Sequence, residues 1–179
     1  PQIGCALSHV FVYKDMLKNN YQRALVLEDD PIINVNAVDS LKEALSELPD
    51  DWEFLYLGYH GANKNPSNML KLQKKILLGF SKLVKRFERL RMIDEDVIEG
   101  WFSKPYSQNL EKAGVYHGTY SYGITPKGAR QILKFQQPVV QESDNAVAEL
   151  CNYGWIKAFN VKDEVFLPNR EVFSTVSNG

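Results

Sequence analysis

Hydrophobic residues along the chain form two kinds of pattern, short apolar runs and longer segments with helical spacing. The apolar runs predict buried strands at residues 23–28, 53–57, 119–125, 156–160 and 164–167. Apolar residues at three- and four-residue spacing predict helices at 5–19, 36–48, 69–91, 126–135 and 142–151. Residues 94–118 are polar and are predicted to be irregular. Because strands alternate with helices, the sequence predicts an α/β fold with a mostly parallel central sheet.

The predicted helix at 69–91 belongs to a basic amphipathic insert at about 66–93. Residues 64–91 contain nine of the 21 Lys and Arg residues and one acid, Glu88, so this segment carries a net charge of +8. One face of the helix is apolar and consists of Met69, Leu72, Ile76, Phe80, Leu83, Phe87 and Leu90. That face packs on the domain, lies on an anionic membrane surface or binds another protein, and the pattern is compatible with each.

Size and composition fit a single domain over residues 1–179. Hydrophobic residues make up 44% and charged residues 24%, which is typical of a soluble globular protein. The net charge of −1 argues against a general nucleic-acid binder.

Cysteine use and the absence of targeting signals favour a cytoplasmic protein. No apolar run approaches the ~20 residues that cross a bilayer, and no signal peptide is visible. Cys5 and Cys151 lie in apolar surroundings and are expected to be reduced thiols. The first residue is Pro1 rather than Met and directly precedes a predicted helix. We therefore expect a fragment of a longer protein.

The strongest chemical signal is the run Ala24-Leu25-Val26-Leu27, which is followed directly by Glu28, Asp29 and Asp30. Three neighbouring carboxylates are costly unless a cation or hydrogen-bond donors compensate them. Hard oxygen ligands suit Mn²⁺ or Mg²⁺, and a metal at the end of a strand would hold a phosphorylated ligand. The pattern resembles the Asp-X-Asp signature of sugar-nucleotide transferases. Asp-Asp-Pro is also a common turn that ends a strand, and this second interpretation stays open.

Further motifs follow in a characteristic order. They are Gly4-Cys5-Ala6-Leu7-Ser8-His9, Tyr56-Leu57-Gly58, the segment from Gly118 to Ala129 that contains Thr119, Tyr122 and Lys127-Gly128-Ala129, and finally Asp144. Together with the acids after Leu27, these blocks resemble glycosyltransferase family 25, which includes lipooligosaccharide and collagen galactosyltransferases. The segment that precedes Gly4 in the family, and that holds its first strand, is absent here, so the resemblance implies that an N-terminal strand is missing.

The resemblance implies a GT-A-like fold, a UDP-hexose donor, a divalent metal and inversion at the anomeric carbon. It implies that Glu28, Asp29 and Asp30 hold the metal, and that Ser8, His9, Glu28, Asp29, Thr119 and Tyr122 bind the donor. Asp144 and Glu142 are the candidates for the base that inversion requires. The acceptor would be a hydroxyl of a lipopolysaccharide or another surface glycan, and the basic helix would contact the cytoplasmic face of an anionic membrane.

The same residues could have purely structural roles, and two other functions are also compatible with the sequence. Ser143 or Asp144 would cap a helix, His9 would be a buried helix histidine, and Thr119 and Tyr122 would pack in a strand. A non-catalytic relative would bind a nucleotide sugar or a glycan without turnover. A metal-dependent nucleotidyl or phosphoryl transferase could also use carboxylates after a strand, although no P-loop motif occurs.

Overall fold

The structure is a computed structural model of the chain that describes residues 2–60, 66–84 and 95–169. The helices in these ranges are α1 (Gln2–Lys18), α2 (Val38–Glu47), α3 (Asn68–Val84), α4 (Glu95–Glu99), α5 (Pro126–Phe135) and α6 (Ser143–Asn152). The strands are β1 (Ala24–Leu27), β2 (Ile32–Ile33), β3 (Phe54–His60), β4 (Lys104–Pro105), β5 (Leu110–Lys112), β6 (His117–Ile124), β7 (Ala158–Val161) and β8 (Phe166–Leu167). A 3-10 turn at Val35–Ala37 precedes α2.

A six-stranded sheet with the order β1-β6-β3-β7-β5-β4 forms the centre of the fold. Only β3 and β7 pair in parallel, and every other neighbouring pair in this sheet is antiparallel. The prediction of a mostly parallel sheet is therefore wrong, although the α/β class is confirmed. β6 begins beside the end of β3, where His117 pairs with His60, and it runs back between β1 and β3. The apolar pattern of a buried strand carries no information about strand direction, so the sequence does not predict that β6 runs antiparallel between β1 and β3.

The segment between α3 and β6 also differs from its prediction. Residues 94–118 were expected to be irregular, but they contain α4, β4 and β5. These elements are two to five residues long and are too short to show a period. The predicted helix at 69–91 is confirmed for α3, and its remaining residues, 85–91, lie outside the described part of the chain.

The sheet buries both of its faces, as the alternation along β3 shows. Phe54 and Tyr56 pack with side chains of α1, α5 and α6, whereas Leu55 and Leu57 pack with α2 and with Val161 on the opposite face. All four β3 side chains are at most 5% exposed. β3 is therefore the central strand of the domain, packed on both faces. Its neighbours β6 and β7 pair with it on either side, which sets the positions of their ends.

The predicted strand and helix on either side of Pro126 are confirmed. β6 ends at Ile124, Thr125 accepts a hydrogen bond from the Gly128 backbone N–H at 3.4 Å, and Pro126 occupies the first turn of α5. Gly128 faces the carbonyl of Glu53 so closely that a Cβ would collide with it. The small residues of this motif therefore let α5 lie directly against the start of β3.

Candidate active site

A cavity of about 390 Å³ lies at the edge of the sheet where β1 and β3 end and β6 begins. Its lining comes from six separate parts of the chain: Gln2, Cys5, Glu28, Asp30, His60, Gly118, Thr119, Tyr120, Glu142, Ser143, Asp144 and Pro168. Four of these side chains are carboxylates, and none of the described lining residues is Lys or Arg. An acidic cavity of this kind repels a phosphorylated ligand unless a cation binds with it.

Glu28 and Asp30 enter the cavity directly after β1. The backbone N–H of Glu28 donates to the Tyr120 carbonyl at 2.9 Å, which continues the pairing of β1 with β6 by one residue. The Glu28 side chain is 34% exposed. Asp30 lies close to Tyr120, whose pKa rises to about 12, mainly because of burial and further because of the Asp30 charge. The two-residue spacing thus brings two carboxylates into the same cavity.

His9 lies behind Glu28 and is almost fully buried. Its Nδ1 lies 2.7 Å from the Tyr122 hydroxyl, and its Nε2 lies 3.4 Å from Glu28 Oε1. Burial by itself lowers the pKa of His9, but hydrogen bonds and charge interactions with Cys5 and Glu28 outweigh it and raise the pKa to about 9. In the absence of a metal, a protonated His9 therefore holds Glu28 in place by a charge-assisted hydrogen bond.

Asp144 lies at the start of α6 and faces the beginning of β6. Its Oδ2 accepts a hydrogen bond from the Gly118 backbone N–H at 3.2 Å and lies 4.0 Å from His117 Nδ1. The side chain is 25% exposed. Gly118 has a φ of +82°, and a Cβ there would lie 2.6 Å from His60 Nδ1. Glycine is required at this point for the N–H to face Asp144.

The structure brings only some of the predicted site residues to the cavity. Glu28, Asp30, Thr119, Glu142 and Asp144 line it. Glu142 precedes α6 as its N-cap residue without a side-chain cap bond, and it accepts a hydrogen bond from the Asn145 side chain at 3.2 Å.

The other four predicted residues do not line the cavity. Asp29 is exposed and is not part of the lining. Ser8 is exposed, and its hydroxyl donates to the Gly4 carbonyl at 3.1 Å. Tyr122 is fully buried, and its hydroxyl lies between His9 and Tyr13. His9 reaches the site only through Glu28.

Several lining residues, among them Cys5, Tyr120 and His60, are not predicted site residues. Cys5 lies one helical turn before His9, so the four-residue spacing was a usable signal that both side chains share one face of α1. Tyr120 lies on β6 next to Thr119, and its position at the cavity depends on strand pairing that no local pattern shows. His60, one of three histidines in the chain, also lines the cavity.

The donor set of the cavity fits a hard divalent cation bound together with phosphate. Mg²⁺ and Mn²⁺ commonly take one or two protein carboxylates and complete their coordination with phosphate oxygens and water. Glu28 and Asp30 supply two such groups. The three acids Glu28, Asp29 and Asp30 do not converge as a cluster of their own. Among the described residues, the group whose ligand atoms all lie within 4.8 Å of one another is Cys5, His9 and Glu28.

A larger cavity of about 620 Å³ lies at the opposite end of β3, beside the end of α6. Lys104, Lys112, Lys127 and Lys157 line it together with Glu53 and Glu99. Glu53 is 3% exposed, pairs with Lys127 and accepts the Lys157 backbone N–H at 2.8 Å. Glu53 is thus held by two donors, whereas Glu28 and Asp144 of the acidic cavity are 34% and 25% exposed. The acidic cavity is therefore the better candidate for catalysis.

Comparison with known proteins places the chain among glycosyltransferases. A model of glycosyltransferase family 25 (LPS biosynthesis protein) matches residues 1–147. A glycosyltransferase 25 family member from Anopheles gambiae is 30% identical over 142 residues, which cover 77% of this chain and 18% of that protein. Human procollagen galactosyltransferase 2 is 36% identical over 64 residues, 32% of this chain and 10% of that protein. The chain thus spans less than a fifth of the length of these curated relatives.

Proposed function

Because the chain belongs to glycosyltransferase family 25, we propose that it carries the sugar-transfer site of a metal-dependent, inverting glycosyltransferase. The donor would be a UDP-hexose, with galactose as the sugar, and the acceptor a hydroxyl of a lipopolysaccharide or another surface glycan. The observation that carries the proposal is the convergence of Glu28 and Asp30 with Asp144, from two distant parts of the sequence, on one cavity. Such a convergence of acids without a lysine or arginine suits a cation-bound diphosphate.

Glu28 and Asp30 would hold the metal, which offsets the negative charge of the departing diphosphate when it is bound. Glu28 is already oriented for this role, because its Oε1 contacts His9 Nε2 and its backbone N–H donates to the Tyr120 carbonyl. A pre-oriented ligand loses little conformational freedom when the donor binds. Thr119, which is buried and lines the cavity, would contact the donor beside these acids.

Asp144 would act as the base of a direct displacement. In that step the acceptor oxygen forms a bond to the anomeric carbon, the bond from that carbon to the diphosphate oxygen breaks, and the hydroxyl proton passes to the carboxylate. The Gly118 N–H engages Asp144 Oδ2 at 3.2 Å and the Asn145 N–H engages Oδ1 at 2.8 Å, so two backbone donors orient the carboxylate. Each carboxylate oxygen has a second lone pair, which can accept the proton of the acceptor hydroxyl. Glu142 is the neighbouring carboxylate on the same lining and is the second candidate for this role.

The names of a relative and of the family support the choice of sugar and acceptor. The human relative is a procollagen galactosyltransferase, and the family description refers to LPS biosynthesis. They support galactose as the transferred sugar and a lipid-linked surface glycan as the acceptor.

The proposal includes peripheral contact of α3 with an anionic membrane on the cytoplasmic face, where a lipid-linked acceptor would be found. Met69, Leu72, Ile76 and Phe80 form a stripe along α3 and are 69%, 58%, 61% and 56% exposed. Exposed Lys71 and Lys75 flank this stripe. Large apolar side chains beside lysines suit the headgroup region of an anionic bilayer. None of the helices among the described residues has both the length and the apolar character of a membrane span.

The opposite side of α3 attaches the helix to the domain. Lys74 Nζ donates to the Glu99 carbonyl at 3.0 Å and lies 4.8 Å from the centre of the Phe102 ring. Burial lowers the pKa of Lys74, which fits its inward position. The apolar stripe therefore faces outward while a different side of the helix packs, and the two functions do not compete for the same residues.

Transfer is tested with UDP-galactose, Mn²⁺ and a purified lipooligosaccharide acceptor, with the release of UDP and the mass of the product as readouts. We expect transfer with Mn²⁺ or Mg²⁺, its loss with EDTA and at least a hundredfold loss in Asp30→Asn. If residues 1–179 and a longer natural form both bind UDP without forming product, the protein is instead a non-catalytic relative. Transfer that survives both EDTA and Asp30→Asn would refute the metal-dependent mechanism.

Membrane contact is tested by co-sedimentation with vesicles of phosphatidylglycerol and phosphatidylethanolamine. The Ile76→Glu, Phe80→Glu double variant should lose binding, whereas Val35→Glu, an equally exposed apolar position outside α3, should keep it. Equal binding by all three proteins, or binding only to neutral vesicles, would exclude the α3 surface as the contact.

A further inference from the structure

Cys5, His9 and Glu28 form a compact group of three different metal-ligating side chains at the border of the acidic cavity. Cys5 and His9 are one turn apart on α1, and Glu28 meets them from the end of β1. The Cys5 Sγ and Glu28 Oε1 atoms are 4.0 Å apart, and the His9 Nε2 and Glu28 Oε1 atoms are 3.4 Å apart. No role in sugar transfer requires a thiol at this point.

We propose that Cys5, His9 and Glu28 bind Zn²⁺ or a similar thiophilic divalent cation. This site shares Glu28 with the hard-metal site, which is the Mg²⁺ or Mn²⁺ site of the proposed function, but it has a different set of ligands. The proposal does not depend on the proposed function. It concerns a different cation and needs neither Asp30 nor a nucleotide.

The distances between the ligand atoms are close to those of a zinc site. Zinc bonds of roughly 2.3 Å to sulfur and roughly 2.0–2.2 Å to nitrogen and oxygen place tetrahedral ligands roughly 3.3–3.6 Å apart. The His9–Glu28 distance already lies in this range, and the Cys5–Glu28 distance needs a shift of a few tenths of an ångström. Cys5 is partly exposed, so its side chain can make that shift without repacking the core.

The surroundings of His9 favour metal binding through Nε2. The Tyr122 hydroxyl lies 2.7 Å from Nδ1 and itself lies 2.8 Å from the Tyr13 hydroxyl. When Nδ1–H donates to Tyr122 and Tyr122 donates to Tyr13, the proton of the neutral ring is fixed on Nδ1 and the lone pair of Nε2 faces Glu28. A hydrogen bond to the far nitrogen is the usual way in which proteins orient a metal-binding histidine.

Water can complete the coordination. Cys5 and Glu28 line the cavity, so the fourth position faces its open side, whereas His9 closes the buried side. Metal binding uses the deprotonated forms of the ligands, a thiolate at Cys5 and a free lone pair on Nε2 of His9. The thiolate makes the site selective for zinc over the harder Mg²⁺ and Mn²⁺ ions.

The zinc site and the hard-metal site both use Glu28, so binding of one cation affects binding of the other. A zinc ion that engages Glu28 Oε1 withdraws one of the two carboxylates that Mn²⁺ and UDP would use. Zinc should therefore weaken the binding of manganese and UDP, and Cys5→Ala should remove that effect.

The test uses Co²⁺, which reports its ligands by absorption. Addition of Co²⁺ to the chain should give a thiolate-to-cobalt charge-transfer band and the visible bands of a tetrahedral ion at one equivalent, and Zn²⁺ should displace them. Cys5→Ala should abolish the charge-transfer band, and His9→Gln should weaken Zn²⁺ binding at least tenfold. Cys151→Ala, which removes the other thiol, should leave the band unchanged, and thermal melts of every variant confirm folding.

Two further variants separate the two sites. Asp30→Asn should keep the cobalt band and lose the binding of manganese and UDP, whereas Glu28→Gln should weaken both. Absence of the charge-transfer band in the folded wild-type chain, or a band that persists in Cys5→Ala, would overturn the zinc site and leave the proposed function untouched.

Discussion

Asp144 at the start of α6 accepts a hydrogen bond from the backbone N–H of Gly118 at the start of β6, over 3.2 Å. This contact joins residues that are 26 positions apart and places a partly exposed carboxylate at the mouth of the acidic cavity. It also explains why the second residue of β6, Gly118, must tolerate a positive φ.

Asp144→Asn should lower kcat about a thousandfold, because a general base contributes roughly 10²–10⁴ in rate. The KM for the UDP-sugar should change less than threefold, since the amide has the same shape and keeps an oxygen for one of the two backbone N–H groups, Gly118 or Asn145. Steady-state kinetics with UDP-galactose measure both parameters. Glu142→Gln is the matched control, with an expected loss below tenfold, and a reversal of the two effects would assign the base to Glu142.

Gly118→Ala should destabilise the fold by about 1–3 kcal/mol, because the left-handed backbone is strained for alanine and the new Cβ would press on His60. Urea unfolding measures the change. Gly79→Ala in the middle of α3 is the control, since a Cβ there meets no atom within 4 Å. This control should be neutral or should stabilise by up to about 1 kcal/mol. Equal stabilities of the two variants would show that the turn at Gly118 is not constrained as described.

Tyr122→Phe should cost about 1–3 kcal/mol of folding free energy and leave the KM for the donor unchanged. The hydroxyl lies between His9 and Tyr13 in a fully buried position, so its removal leaves their polar groups without a partner. Tyr106→Phe, at a residue that is 41% exposed, should change stability by less than about 0.5 kcal/mol. A raised KM at wild-type stability would instead place Tyr122 in the donor pocket.

Cys151 should resist alkylation while the chain is folded. Burial raises the pKa of its thiol to about 12, so almost no thiolate exists at pH 8 or even at pH 10. Iodoacetamide in the presence of EDTA should therefore modify Cys5 alone in the folded chain and both thiols in urea, as mass spectrometry can show. Because the unfolded thiol ionises near its ordinary pKa and the folded thiol does not, Cys151 also makes the fold less stable as the pH rises from about 9 towards 12. Rapid double modification of the folded chain would contradict its burial.

Local patterns in the sequence were sufficient wherever a single segment decides the outcome. The run from Ala24 to Leu27 forms the predicted strand as β1, and Glu28 and Asp30 follow it into the cavity. The predicted burial of this strand is wrong, because β1 lies at the edge of the sheet and leaves Leu25 58% and Leu27 46% exposed. Thr125 and Pro126 mark the boundary between β6 and α5 because their backbone preferences act within a few residues. Asp144 was identified from the resemblance to a family, and its contact with Gly118 supplies the geometry that the motif could not.

Features that depend on distant contacts were not predictable in this way. The direction of β6 follows from the path that the chain takes from the end of β3, and the hydrophobicity of β6 is the same in either orientation. Tyr122 looks like a pocket residue in the motif, yet the pleat turns it towards α1, where it meets His9 and Tyr13. The exposed stripe on α3 is apolar in sequence, and only the packing of Lys74 against Phe102 shows which side faces outward.

Paramagnetic broadening of backbone amide signals in the ¹⁵N-labelled chain reports most directly where manganese and UDP bind. If the acidic cavity is the donor site, Mn²⁺ with UDP broadens the signals of Asp30, Thr119 and Asp144 first, and Asp30→Asn abolishes this effect at the same concentrations. Broadening centred on Lys112 and Trp155 in the larger cavity, or unchanged broadening in Asp30→Asn, would contradict the assignment of the acidic cavity as the donor site.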